Sequence, residues 1–197
     1  MSEPVLNVLA VSGSLHGHSV TRVVINHLAS GLKDAGCVVD VLDLGREPLP
    51  VYNPDTAEEQ PGFAALQARV GRADVFILGT PDYHGGVSGA MKNFLDYFWH
   101  EFTGKLMASV VASHEKGLTV TDQLRTVARQ CYAWSLPYGV SFANRVDVQD
   151  GRIVSEALVK RLEMLMRDVK VYGTILARQR RADLAGRDPG FMARLRK

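Results

Sequence analysis

Cysteine is scarce: Cys37 and Cys131 are the two in 197 residues. They stand far apart and form no C-x-x-C pair, which excludes a disulfide framework or zinc knuckle and leaves both as small buried hydrophobes. An excess of one charge is also missing, since 23 basic against 21 acidic residues leave a formal net charge of +2, too little to point to nucleic acid or a membrane surface. No apolar run approaches the roughly 20 residues that span a bilayer, and the expectation is a cytoplasmic protein. Gly13 and Gly17 alone do not make the G-x-G-x-x-G of a Rossmann site, although Asp43 closes the second apolar run as such a site would have it. The first loop ends in no Gly-Lys-Ser or Gly-Lys-Thr, so a P-loop is excluded, and Ser12, Gly13 and Ser14 stand where a receiver domain would cluster acids. Repeats and low-complexity tracts are absent.

What is there is an ordinary globular composition, 46% hydrophobic and 22% charged, at the length of one domain with a sizeable core. Continuous apolar runs at Val5–Val11, Val38–Leu44, Ala73–Gly79 and Leu106–Ala112 read as strands buried on both faces, and Pro137–Phe142 as a fifth. Helical spacing lies between and after them: Val20–Ala35 closed by Gly36, Gly62–Arg72, Val87–His100, Leu118–Trp134 and Ser155–Ala177. Strictly alternating strands and helices with short connections make a doubly wound α/β domain with a parallel sheet, whose ligands sit at the carboxyl ends of the strands. The domain is expected over residues 1–177, followed by a basic, solvated segment at 178–197. Asp150-Gly151 marks a tight hairpin turn, and the prolines between Pro48 and Pro61 an extended surface connection.

Two loops carry the chemistry. The first runs from an apolar strand through Ser12, Gly13, Ser14, Leu15, His16, Gly17, His18 and Ser19 into a helix that opens with Val20 and Thr21. Hydroxyls and free amides at a helix start suit a phosphate, and the helix dipole adds favourable potential. In the second, Pro81 stiffens the chain, Gly85 and Gly86 let backbone approach a ligand, and Asp82, Tyr83 and His84 are placed to edge a flat ring.

Gly13-Ser14-Leu15-His16-Gly17-His18-Ser19 and Pro81-Asp82-Tyr83-His84-Gly85-Gly86, the latter with its Gly89-Ala90-x-Lys92-Asn93 continuation, resemble the two signature loops of the NADPH-dependent FMN reductase family. That family has Gly-Ser-x-Arg-x-x-Ser and Pro-Glu-Tyr-Asn-Gly-Ser, so His16 stands for its arginine and His84 for its asparagine. The resemblance extends over about residues 5–175 in element order. It implies a flavodoxin-like five-stranded parallel sheet of order 2-1-3-4-5 with helices on both faces. It further implies FMN held at its phosphate by Ser12, Gly13, Ser14, His16, Ser19, Val20 and Thr21, and at its ring by Pro81 to Gly86. A third loop, Ser113-His114-Glu115-Lys116-Gly117, falls where the family presents amides to the flavin, with Ser113, Lys116 and Gly117 as candidates.

The implied activity is transfer of hydride from NADPH or NADH to FMN, then of electrons to a second acceptor (free flavin, quinone, azo compound or metal ion) by a ping-pong route. The cofactor carries this chemistry, so no catalytic side chain is named. Lys116, Arg22 and Arg145 are candidates for reading the 2′-phosphate of NADPH. A metal at His16 and His18 would need a further ligand that the sequence does not supply. Phe94, Leu95, Tyr97, Phe98, Trp99 and Phe102 exceed what one core stripe needs, and with the resemblance they raise the expectation of a homodimer or homotetramer. The alternatives are a flavodoxin-like electron carrier, which tends to be strongly acidic, and a flavin-binding regulatory protein without turnover.

Overall fold

The computed structural model describes residues 5–196. Its sheet is built from β1 (Asn7–Ser12), β2 (Val38–Asp43), β3 (Val75–Tyr83) and β5 (Leu106–Ala112), all parallel, in the order β2-β1-β3-β5. A two-residue β4 (Gly86–Val87) folds back antiparallel on the end of β3. The place beyond β5 is shared by two short parallel strands, β6 (Trp134–Ser135) and β7 (Val140–Phe142). This is the flavodoxin-like arrangement, with its fifth strand broken: Pro137 lies between the two pieces and has no N–H to give the ladder. A hairpin of β8 (Val148–Gln149) and β9 (Arg152–Ile153) follows, turning at Asp150 and Gly151, both at positive φ.

Alternate residues of each strand face opposite helical layers. Val8, Ala10, Val75 and Ile77 pack under α1 (Val20–Asp34) and α5 (Glu156–Ala185). Leu9, Val11, Phe76 and Leu78 pack under α2 (Phe63–Arg72), α3 (Gly89–Asp96) and α4 (Leu118–Gln130). Ser19, Ser88 and Ser155 cap α1, α3 and α5 by accepting a hydrogen bond from a first-turn amide. On the sheet's lower edge Lys105 is buried, donating to the carbonyls of Val70 and Gly71 at 3.0 and 2.9 Å, and burial pushes its pKa down to about 7.

The structure differs from the sequence reading at several points. Helix α3 is Gly89–Asp96 rather than Val87–His100, and α4 ends at Gln130 rather than Trp134. Strand β3 runs on past Gly79 to Tyr83, so the first residues of the second loop are strand: Thr80 and Pro81 pair with Val111 and Ala112. Helix α5 does not stop at Ala177 but reaches Ala185, and the segment after it folds back as a 3₁₀ turn, Phe191–Leu195. Met192 is buried there against Gly104, and Arg180 donates to the carbonyl of Thr103 at 3.0 Å, so apolar packing and a hydrogen bond hold a stretch whose composition alone reads as solvated. Finally, Phe94, Leu95, Phe98 and Phe102 are buried within this chain, with Phe102 meeting Phe76, Phe94 and Phe98 edge to face, and of the group expected at a subunit surface Trp99 is the exposed member. Packing under α3 accounts for the buried members of this group within the chain.

Candidate functional site

The loops after β1, β3 and β5 meet at the carboxyl edge of the sheet around a cavity of about 210 Å³. Ser14, His16, His18, Ser19, Val20 and Thr21 wall it from the first loop, Pro81, Asp82 and Tyr83 from the second, Ser113 and His114 from the third, and Asn144 from the turn before β8. The described residues of this wall include no lysine or arginine.

The first loop is braced from behind. Arg22, in the first turn of α1, forms an ion pair with Asp43 at the end of β2, both side chains largely buried. The rest of its guanidinium donates to the carbonyls of Gly17 at 2.9 Å and His16 at 3.3 Å. Arg22 therefore backs the loop and is not free to read a 2′-phosphate, and Asp43 answers Arg22 rather than a ribose. His16 Nδ1 accepts the amide of His18 at 3.0 Å, which leaves Nε2 as the nitrogen that carries hydrogen in the neutral ring. Ser19 Oγ accepts from the amide of Arg22, so the amides of Val20 and Thr21 remain at the helix head without helical acceptors. Two hydroxyls, Ser12 Oγ and Thr21 Oγ1, are buried with no hydrogen-bond partner among the described residues. Such groups are costly unless a ligand pairs with them.

Gly13 does not line the cavity; it lets the loop pass close to α3. A Cβ there would stand 2.9 Å from Met91 Cβ, and the Gly13 carbonyl accepts from Ser88 Oγ at 2.6 Å. Ser88 in turn donates its amide to Thr80 Oγ1 at 2.9 Å, so one serine ties the first loop to the second.

The second loop is a hairpin. His84 and Gly85 both take positive φ, 57° and 76°, between paired Tyr83 and Gly86, which is a type I′ turn. Asp82 is consumed in holding it: one carboxylate oxygen accepts the Gly85 amide at 2.8 Å, the other accepts Ser113 Oγ at 2.9 Å. Gln123 of α4 braces the far side, accepting from Val87 N at 3.1 Å and donating to Gly85 O at 3.1 Å. Tyr83 and His84 are exposed, and the surface that the hairpin offers a ring is mostly backbone and the Tyr83 side chain.

In the third loop, Ser113 is buried beside Asp82, while Lys116 is exposed and outside the cavity wall. Gly117 heads α4 at φ 60°, where a Cβ would press within 2.9 Å of Val111. His114 and Asn144, which sequence reasoning did not assign to the site, line it instead. Arg22 with Asp43, Ser88 and Gln123 were also missed as positioning groups, because their partners lie up to 75 residues away in sequence. Among the described residues no group of three His, Cys, Asp or Glu side chains could hold a metal.

The model of the family described as NADPH-dependent FMN reductase matches residues 6–147. An NADPH azoreductase of Bacillus sp. (strain OY1-2) is 29% identical over 156 residues, 77% of this chain and 84% of that protein. An NADH-dependent FMN reductase of Pseudomonas putida is 30% identical over 182 residues, 88% of this chain and 95% of that one. Of solved structures, the flavoenzyme NAD(P)H:(acceptor) oxidoreductase of Paracoccus denitrificans superposes with a TM-score of 0.63 at 20% identity, covering 89% of this chain and 98% of that one. An archaeal flavodoxin does so at 0.58 and 11%, covering 88% and 98%. At these identities the structural likeness is one of fold.

Proposed function

Because this chain belongs to the NADPH-dependent FMN reductase family, we propose that it takes hydride from NADPH or NADH onto an FMN bound at the carboxyl edge of the sheet and passes electrons to a small-molecule acceptor by a ping-pong route. The observation that carries the reading is the unpartnered buried hydroxyl of Thr21 in the wall of a cavity at the head of α1. The residues present fit the cofactor. Ser14, Ser19 and Thr21 donate to the phosphate, with the amides of Val20 and Thr21 and the dipole of α1 adding to the field. His16 donates from Nε2 where the family has arginine. The cavity of about 210 Å³ suits the phosphate and ribityl end, and the isoalloxazine rests on Pro81, Tyr83 and the backbone to Gly86.

Bound FMN supplies the two-electron chemistry, and the protein supplies placement. Asp82, braced between Gly85 and Ser113, fixes the shelf on which the ring lies. The exposed Tyr83 leaves one edge open to donor and acceptor in turn, as a ping-pong order requires. Acceptors are free flavin, quinones, azo compounds or metal ions, and the active species is a homodimer or homotetramer. No helix among the described residues is long and apolar enough to cross a membrane.

Anaerobic addition of NADPH or NADH to protein reconstituted with FMN tests this directly. Fast loss of the flavin absorbance band, and parallel double-reciprocal lines when donor and acceptor are both varied, are expected. FMN binding without loss of the band with either nucleotide would overturn the reductase reading, and intersecting lines the ping-pong order.

A further inference from the structure

At the opposite edge of the sheet from the cofactor loops lies a second groove, about 350 Å³, formed by Arg125 and Arg129 of α4, Tyr132, Trp134 and Phe191. Trp134 pairs with Leu106, the first residue of β5, whereas the cofactor loops leave the last residues of the strands. We propose that this groove binds a planar aromatic anion, a ring system bearing one carboxylate or sulfonate.

The first argument is a backbone one. Helices α1 and α4 end in the same motif: the second residue past the cap donates to a carbonyl five residues back, and the first past the cap to one three back. In α1 these bonds are Cys37 N to Leu32 O and Gly36 N to Lys33 O; in α4 they are Ala133 N to Ala128 O and Tyr132 N to Arg129 O. The pivot needs positive φ and is glycine by preference, as Gly36 is at 87°. In α4 the pivot is Tyr132 at 54°. A bulky side chain there is disfavoured, and such outliers gather where a side chain is needed.

The second argument is what the ring meets. Tyr132 lies nearly parallel to Phe191, 17° apart, with the Arg194 guanidinium 4.6 Å from its centroid. Trp134 stands edge-on to Phe191 and is half exposed. The buried Met192 anchors the terminal turn, so the segment after α5 builds one wall of the groove. The third argument is charge. Arg125, Arg129 and Arg194 surround these rings, and the nearby carboxylate, Asp122, is engaged with Arg125. Arg129 has no carboxylate partner among the described residues. Exposed aromatic side chains beside the Arg129 guanidinium match a flat ring with a negative substituent, through stacking and a charge-assisted hydrogen bond.

The probe is 2-naphthalenesulfonate, titrated into full-length Trp99→Phe protein, in which Trp134 is the single tryptophan of the original two. Saturable quenching of Trp134 is expected, weakened about tenfold or more by Arg129→Gln and for the uncharged 2-naphthalenemethanol, and indifferent to saturating FMN. Tyr132→Gly restores the usual pivot residue, so it keeps or raises the Tm yet weakens binding. Non-saturable quenching, an affinity untouched by Arg129→Gln or Tyr132→Gly, or competition by FMN would overturn the proposal. So would a dimer abolished by Trp134→Glu, since a second copy would then fill the groove.

Discussion

The first and second candidate site loops are both rich in glycine and polar residues and use them in opposite ways. In the first, the bracing is done from outside by Arg22 and Asp43, and hydroxyls inside it, Ser12 and Thr21, are left buried and unpaired. In the second, the loop's own carboxylate is spent on its shape, Asp82 accepting from Gly85 and Ser113, while Gln123 of α4 braces the turn at Gly85 and Val87. On the proposed binding mode, the first loop keeps hydroxyls free for the ligand because other side chains hold it, whereas the second spends its own carboxylate on its shape and offers backbone. Mutations should therefore separate stability from affinity in the first loop and couple them in the second.

The largest effect is expected at the brace. Arg22→Ala leaves Asp43 largely buried without its guanidinium, and the cost of breaking such a pair is about 3 kcal/mol of stability. It also frees the carbonyls of His16 and Gly17, so FMN affinity falls at least about tenfold. Urea denaturation and flavin fluorescence titration read the two quantities. Arg22→Lys keeps the charge and loses the fork that spans Asp43 and the loop, so it rescues stability better than affinity. Equal rescue of both would show that the carbonyl contacts do not shape the phosphate cradle.

Asp82→Ala comes next, at about 2 kcal/mol, because it strips an acceptor from the Gly85 amide and from the buried Ser113 hydroxyl together. Stability and FMN affinity should fall in step. Asp82→Asn keeps an acceptor for Gly85 and should restore most of both. An Asp82→Ala protein of full stability that no longer binds FMN would mean that the carboxylate touches the ligand, and the contrast between the loops would be gone.

Thr21→Val tests the other half of the contrast with a smaller effect. The hydroxyl has no partner among the described residues, so its removal in an isosteric side chain leaves the stability of the ligand-free protein unchanged or raised. FMN affinity should weaken by about 1 kcal/mol, close to fivefold. Lower stability with unchanged affinity would take Thr21 out of the phosphate site.

Much of this arrangement was legible in the chain. Apolar runs marked the strands, and β5 begins and ends where its run does; Gly36 marked the end of α1, and the glycine-bearing segments the candidate site loops. What was not legible is pairing at a distance. Arg22 looks like a candidate for the 2′-phosphate until Asp43, 21 residues on, is brought beside it, and Asp82 looks like a ligand group until Ser113 is seen to take it. The terminal turn was not legible for the same reason: composition does not show that Met192, alone in a largely exposed segment, meets a cleft that Gly104 keeps open.

The smallest effect concerns His84, where sequence and geometry give different reasons for one residue. Read along the chain, it replaces an asparagine beside the ring. In the fold it occupies the first central position of a type I′ turn at φ 57°, exposed, ahead of Gly85. Asparagine is favoured at that position because its short side chain tolerates the left-handed region, which histidine does less well. His84→Asn should therefore raise stability by a few tenths of a kcal/mol, read as a small increase in Tm, and leave FMN affinity where it was. If instead affinity changes severalfold at constant Tm, the imidazole contacts the flavin, and the second loop, like the first, binds with a side chain it does not need for its own shape.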